Sequence, residues 1–227
     1  MAIADRRYKN EVRNMTERIR CDNRDVWLER RRMQGIGASE AAAAVGLSKW
    51  QTPADLWREK VGLKAPDDLS GNEAVQRGVR MEPAIRAMFA ATHPELTVEH
   101  HPFDMLYQTE RPWLFATLDG ELTGPVYPKG GSLEIKSVEI RSKAGWDEWD
   151  GKVPQHYYCQ VLHQFAATGF EIIWLYPALI TQSGITLREY VFYREECLGD
   201  IDWLIAQEEK FMRCVENGIM PSVPITF

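Results

Sequence analysis

Trp113-Leu114-Phe115-Ala116-Thr117-Leu118-Asp119-Gly120 and Ser132-Leu133-Glu134-Ile135-Lys136-Ser137-Val138 are the two stretches that decide how this chain folds. The first is an apolar run that ends in a carboxylate and a glycine. The second alternates as a strand does, so Glu134 and Lys136 point to one side and Ile135 to the other. If the two stretches pair as neighbouring strands, Asp119 reaches the side of Glu134. Two carboxylates and an ammonium at one strand end suit a hard cation beside a group that handles protons. Each piece alone has a plainer reading. Asp-Gly is a turn signal, and Glu134 with Lys136 suits the solvated face of an edge strand. A shared cation gives all three a reason to converge.

Outward from this centre, residues 125–131 read as the connecting loop, and residues 96–103 and 105–108 as strands joined by a tight turn. Residues 72–91 read as a helix with Val75, Val79, Ile85, Met88 and Phe89 at helical spacing, interrupted at Pro83 just after Glu82. Toward the N-terminus, residues 25–33 form a short helix with a basic end, and Ser39 is the N-cap of an alanine-rich helix that Gly46 stops. Thr52-Pro53 opens another helix. On the C-terminal side, residues 155–168 read as a helix stopped by Gly169, and residues 170–176 and 185–193 as two strands. A terminal helix over 198–218 turns Ile201, Leu204, Ile205, Phe211, Met212 and Val215 inward. The expectation is an α/β fold, a central mixed β-sheet flanked by helices, in a single domain over 1–227. Residues 1–23 read as an arm or irregular helix, and about 24–170 as the motif-bearing core.

Composition narrows the function classes. With 227 residues and 44% hydrophobic residues the chain has length for a real core. It lacks any apolar run of about eighteen residues and any apolar stretch after its N-terminal charges, so membrane and secretory readings are not expected and the cytoplasm is. Cys21, Cys159, Cys197 and Cys214 are scattered without a close pair, which favours buried free thiols over zinc, iron–sulfur or disulfides. The net charge is −6, but residues 1–36 hold ten Lys/Arg against six acids, leaving −10 for the rest. A chain so balanced binds a polyanion only through a local basic surface.

Leu118-Asp119 followed by Glu134-Ile135-Lys136 resembles the PD-(D/E)XK nuclease superfamily, and within it the phage lambda exonuclease and YqaJ viral recombinase family. Further marks stand in the family's order: Arg32 before Gly35-Ile36-Gly37-Ala38-Ser39-Glu40, Gly78 with Glu82, then Val153-Pro154, Tyr157 and Gln160-Val161. Leu118 stands where the superfamily has a proline. The resemblance covers about residues 27–168.

It implies a restriction-endonuclease-like core and a magnesium site, two ions with manganese as a substitute, held by Asp119, Glu134 and the Ile135 backbone carbonyl. Lys136 would orient the attacking water, with Glu82 and Gln160 completing the catalytic set. Arg32 and Ser39 would capture a 5′-phosphate, with Thr117 adding a hydroxyl; Arg30 and Arg31 also qualify, and alignment to Ser39 favours Arg32. Trp27 would stack on a terminal base or fill the core, and His163 shares the helix face of Gln160. The implied activity is a 5′-to-3′ exonuclease on linear double-stranded DNA. It leaves a 3′ strand for a single-strand annealing protein in phage-type recombination, in the cytoplasm of a bacterium or phage-infected host. A homotrimer is the implied assembly. An endonuclease of the same superfamily and an inert DNA-end-binding adaptor are the competing readings.

Overall fold

The computed structural model describes residues 16–125 and 127–222. Their elements run β1 (Thr16–Ile19), α1 (Arg24–Gln34), β2 (Ile36–Gly37), a 3-10 turn (Ala38–Glu40), α2 (Ala41–Ala44), α3 (Pro53–Lys60) and α4 (Glu73–Thr92). Five strands follow: β3 (Thr97–Glu99), β4 (Met105–Gln108), β5 (Arg111–Ala116), β6 (Gly120–Gly124) and β7 (Tyr127–Glu139). Then come α5 (Lys143–Asp147), α6 (Gln155–Thr168), β8 (Ile172–Thr181), β9 (Gly184–Leu187), β10 (Tyr190–Tyr193), a 3-10 turn (Arg194–Glu196) and α7 (Leu198–Glu216).

β7 organises the larger sheet, ordered β10-β8-β7-β6-β3 with β9 also on β8. It pairs antiparallel with β6 and parallel with β8. Parallel neighbours need a crossover, which α5 and α6 supply. A Cβ on Gly131 would sit 2.6 Å from Ile172 Cγ2, so only glycine lets β7 and β8 approach there. The alternation in β7 sorts the two faces. Leu133 and Ile135 pack with Ile85 and Phe89 of α4, while Ile173 and Leu175 of β8 pack on the other face with Val161 and Phe165 of α6 and Leu204 of α7. Burying each such side chain is worth roughly 1.5–3 kcal/mol, and this double layer sets the site's floor.

The smaller sheet is ordered β1-β4-β5-β2. β2 pairs parallel with β5, with a Cβ on Gly35 (φ 142°) falling 2.1 Å from the Trp113 carbonyl oxygen. Residues 117–119 carry the chain from β5 into β6, out of one sheet and into the other.

Several expectations change. The central mixed sheet is as expected but a smaller second sheet accompanies it, and β3 and β4 belong to different ones, so they are not a hairpin. The expected loop over 125–131 contains the start of β7, and residues 120–124, to which the sequence gives no element, form β6, because Gly120, Glu121 and Leu122 pair with Leu133, Ser132 and Gly131. Residues 16–19 are a strand on β4, while residues 1–15 of the expected arm lie outside the described residues. The segment 185–193 is two strands on the same edge of β8. α4 runs through Pro83 without ending, held beyond it by the burial of Ile85 and Phe89; Val75, Val79 and Met88 are exposed. In α7, Ile201, Leu204 and Phe211 are buried as expected, and Glu208 is buried with them. The four cysteines are free, three of them buried.

Candidate active site

The antiparallel register Gly120↔Leu133, carried one residue further, sets Asp119 opposite Glu134. Asp119 Oδ2 accepts a 2.7 Å hydrogen bond from the Ile135 amide, which anchors the carboxylate to β7. Glu134 is 2% exposed and its two oxygens are shared among three donors. Lys136 Nζ reaches Oε1 at 2.5 Å, Gln160 Nε2 reaches the same oxygen at 2.7 Å, and Gln164 Nε2 donates to Oε2. Gln160 Oε1 in turn accepts from Lys136 Nζ at 2.9 Å, and Gln164 Oε1 accepts from Ser132 Oγ at 2.8 Å. The Tyr157 ring lies 5.2 Å from the ammonium. Two amides one helical turn apart on α6 therefore hold the orientation of Glu134 and Lys136.

From the other sheet face, α4 brings Glu82 and Arg86 to the cleft. Arg86 Nε donates to the Asp119 carbonyl oxygen at 2.6 Å while its Nη2 donates to Glu82. His100 Nδ1 lies 3.2 Å from the same carbonyl. One arginine thus ties the helix acid to the strand acid.

The rim is built by α1 and the 3-10 turn. Trp27 Nε1 donates to Thr117 Oγ1 at 3.0 Å, and the Arg31 guanidinium stands 5.2 Å from the Trp27 ring. Arg31 Nη2 donates to Ser39 Oγ. The structure brings Arg31, not Arg32, to Ser39: Arg31 follows Trp27 by one turn, and Arg32 points to solvent. Ser39 is no N-cap either, since it sits inside the 3-10 turn. Its neighbour Glu40 accepts from the Gly37 amide at 2.9 Å and from Lys60 at 2.8 Å. Burial alone would raise the Glu40 carboxyl, but Lys60 and Arg31 outweigh it and hold it below the usual range. Trp27, Arg31, Ser39, Glu82, Arg86, Thr117, Asp119, Glu134, Lys136 and Gln160 all line one cleft of about 680 Å³. His163 turns away: its ring meets Glu208 and the Phe115 carbonyl in the core.

Charge is concentrated here. Burial, then the facing Glu134 carboxylate, pushes Asp119 well above the ordinary carboxylate range, with Glu82 adding and Lys136 subtracting. Burial acts to lower Lys136, but Glu134 and Asp119 outweigh it and raise the ammonium, so it stays charged. Carboxylates that repel each other across a strand pair are relieved by a cation between them. Among the described residues no three His, Cys, Asp or Glu side chains group as a metal cage. The donor set still fits magnesium, which is held by one or two carboxylates, with water and substrate phosphate filling the octahedron. Asp119 and Glu134, brought opposite each other, are a carboxylate pair of that kind.

Sequence reasoning missed Gln164, Arg86 and His100, and it left the arginine open among Arg30, Arg31 and Arg32 while favouring Arg32, where Arg31 is the one that meets Ser39. The spacing was a usable signal for three of them: Gln160 with Gln164, Glu82 with Arg86, and Trp27 with Arg31 all stand four apart. His100 carries no such signal, since only the chain reversal before β4 aims it at Asp119.

Fold and cleft together define a PD-(D/E)XK-type domain: a mixed α/β core with one carboxylate and a lysine on β7 and a second carboxylate on the turn into β6. The chain belongs to the family of YqaJ-like viral recombinase domains, whose family model matches residues 26–171. It is 29% identical over 163 residues to the uncharacterized protein YqaJ of Bacillus subtilis (strain 168), covering 70% of this chain but 46% of that relative. The chain thus spans under half that relative's length. Among solved structures it is similar to the alkaline exonuclease LHK-Exo from Laribacter hongkongensis, with TM-score 0.60 and 18% identity over 86% of this chain and 94% of that one. LHK-Exo in complex with dAMP matches at TM-score 0.54 and 19% identity over 82% and 90%. A phage related exonuclease from Haemophilus somnus 129PT matches at 0.53 and 12% over 78% and 92%. These likenesses establish the restriction-endonuclease-like fold. Among the described residues no helix is long and apolar enough to cross a membrane.

Proposed function

We propose that this chain is a metal-dependent deoxyribonuclease, a 5′-to-3′ exonuclease that hydrolyses one strand of linear duplex DNA from a 5′-phosphorylated end. The observation that carries the reading is the convergence of Asp119, Glu134, Lys136 and Gln160 in one cleft, with Arg31 and Ser39 across from them. Magnesium held there would supply Lewis acidity toward a phosphate oxygen and toward water. Asp119, Glu134 and the Ile135 carbonyl would hold it, and manganese or a second ion would use the same oxygen donors. Lys136, fixed between Glu134 and Gln160, orients the attacking water and offsets charge that grows on the phosphate. Glu82 accepts hydrogen bonds from water on the α4 side. Arg31, with Ser39 and Thr117, takes a terminal phosphate by charge-assisted hydrogen bonds, and Trp27 offers its ring to the terminal base. That LHK-Exo has been solved with dAMP makes a nucleoside monophosphate the first ligand to try.

The 3′ strand left behind suits a single-strand annealing partner. A homotrimer would gather a limited basic surface around one duplex, and sedimentation of the chain tests that assembly. Digestion of linear duplex with and without a 5′-phosphate, in magnesium and in chelator, tests the activity. Loss in chelator, preference for the phosphorylated end and resistance of a closed circle are expected. Cutting of the circle would make the chain an endonuclease; binding without cutting would make it an end-binding adaptor.

A further inference from the structure

The nuclease reading leaves one buried polar pair unused. His163 of α6 and Glu208 of α7 are each 0% exposed, with His163 Nδ1 2.7 Å from Glu208 Oε1 and Nε2 3.0 Å from the Phe115 carbonyl oxygen of β5. A carbonyl only accepts, so Nε2 carries a proton. An ionised carboxylate also only accepts. The pair therefore holds two protons wherever the shared one sits, on Nδ1 or on Oε1, and has no net charge. Both side chains are fully buried, and Glu208 Oε2 has no hydrogen-bond partner among the described residues.

Such a pair is expensive to bury and easily replaced by apolar side chains, so its position is informative. It joins three elements. α6 also carries Gln160 and Gln164, the amides that grip Glu134 and Lys136. Phe115 lies near the end of β5, and the chain leaves that strand at Ala116 and reaches Asp119 through Thr117. His163 is thus the polar bracket between the helix that sets one carboxylate and the strand that delivers the other, and Glu208 holds its ring. We propose that His163 and Glu208 are positioning residues that set the spacing of Asp119 and Glu134, and with it the affinity for divalent cation and the rate of cleavage. This deepens the nuclease reading and rests on it.

Removing one partner alone strands a buried polar group and should lower Tm by roughly 10 °C, which says nothing about positioning. The informative variant of the full chain changes both, His163→Leu with Glu208→Met, which leaves an apolar core of similar volume and a Tm within a few degrees of wild type. Outer partners of metal ligands are worth 10–100-fold in affinity or activity, and this bracket acts through an amide, so about tenfold is expected. Calorimetric Mn2+ affinity and kcat on linear duplex should both fall by about that factor, with duplex binding in chelator unchanged. A folded double variant whose Mn2+ affinity and kcat stay within about twofold of wild type overturns the proposal. Glu208→Gln is the control, since its amide can donate to Nδ1 while Nε2 keeps Phe115; it should behave as wild type, and a tenfold loss there also overturns the proposal. Should the double variant not fold, Glu208→Gln and Glu208→Met are compared by Mn2+ affinity at a temperature well below both midpoints, equal affinities refuting the bracket. If wild type itself does not cleave, the nuclease reading fails, while the Mn2+ affinities still report on the bracket.

Discussion

The floor of the cleft and its rim are built by opposite means. On the floor, Glu134 has three donors on its two oxygens and is 2% exposed, so its geometry is set before any ligand arrives. At the rim, Arg31 rests on Ser39 and against Trp27 but is partly solvated, on a helix with no buried residue. Preorganised groups act on the reacting phosphate without rearranging. A solvated arginine can yield its partner to an incoming phosphate. Fixed floor and adjustable rim are what an enzyme needs if it must hold the chemistry still while successive chain ends arrive.

The largest effect that tests this contrast is on the floor. Lys136→Ala removes the only ammonium facing both carboxylates among the described residues and should lower kcat by roughly 10²–10³-fold while leaving duplex affinity within about twofold. Cleavage near the wild-type rate would remove Lys136 from the mechanism. Gln164→Leu comes next. It leaves the Ser132 hydroxyl and Glu134 Oε2 buried without their partner, so stability should drop by about 1–3 kcal/mol and kcat by roughly 10–100-fold. Denaturant midpoints with steady-state rates separate the two losses; an unchanged midpoint would mean the floor is less rigid than its hydrogen bonds suggest.

The rim should respond more mildly and selectively. Arg31→Ala should cut the preference for 5′-phosphorylated over 5′-hydroxyl ends by about tenfold, the worth of one charge-assisted hydrogen bond. Arg32→Ala should leave that preference unchanged. The opposite pattern would restore the arginine that sequence alignment favours.

The same contrast explains what could be read from the chain. The floor was legible because strand alternation has a period of two and leaves one assignment: Glu134 and Lys136 together, Ile135 opposite. The helices α6 and α7 were legible from their apolar spacing and the Gly169 stop, φ 66°. β6 was not, since Gly120-Glu121-Leu122-Thr123-Gly124 is short and glycine-bounded and becomes a strand only by pairing with β7 and β3. Arg31 against Arg32 turns on one helical step of rotation, which the run Arg30-Arg31-Arg32 conceals. Pro83 misled because its local cost is real and the burial of Ile85 and Phe89 exceeds it.

The smallest predicted effect sharpens the contrast most. Asp119 is the one floor group whose placement is strained by its surroundings, raised by burial and by Glu134. A folded carboxyl raised above its unfolded value contributes stability below the unfolded pKa and loses it as pH climbs through the folded one. In chelator, then, wild type should become progressively less stable relative to Asp119→Asn across that window. The asparagine oxygen can still accept from the Ile135 amide, so the two should have similar Tm at acid pH, and at neutral pH the variant should melt about 2–4 °C higher, the shift ~1 kcal/mol produces in a chain of this size. On the proposed reading divalent cation binds the ionised carboxylate, so it should reverse the order, and its affinity should rise with pH over the same window. A wild type more stable than the variant in chelator at neutral pH would mean that the Ile135 hydrogen bond outweighs the repulsion. The floor would then be at rest without its cation rather than waiting for one.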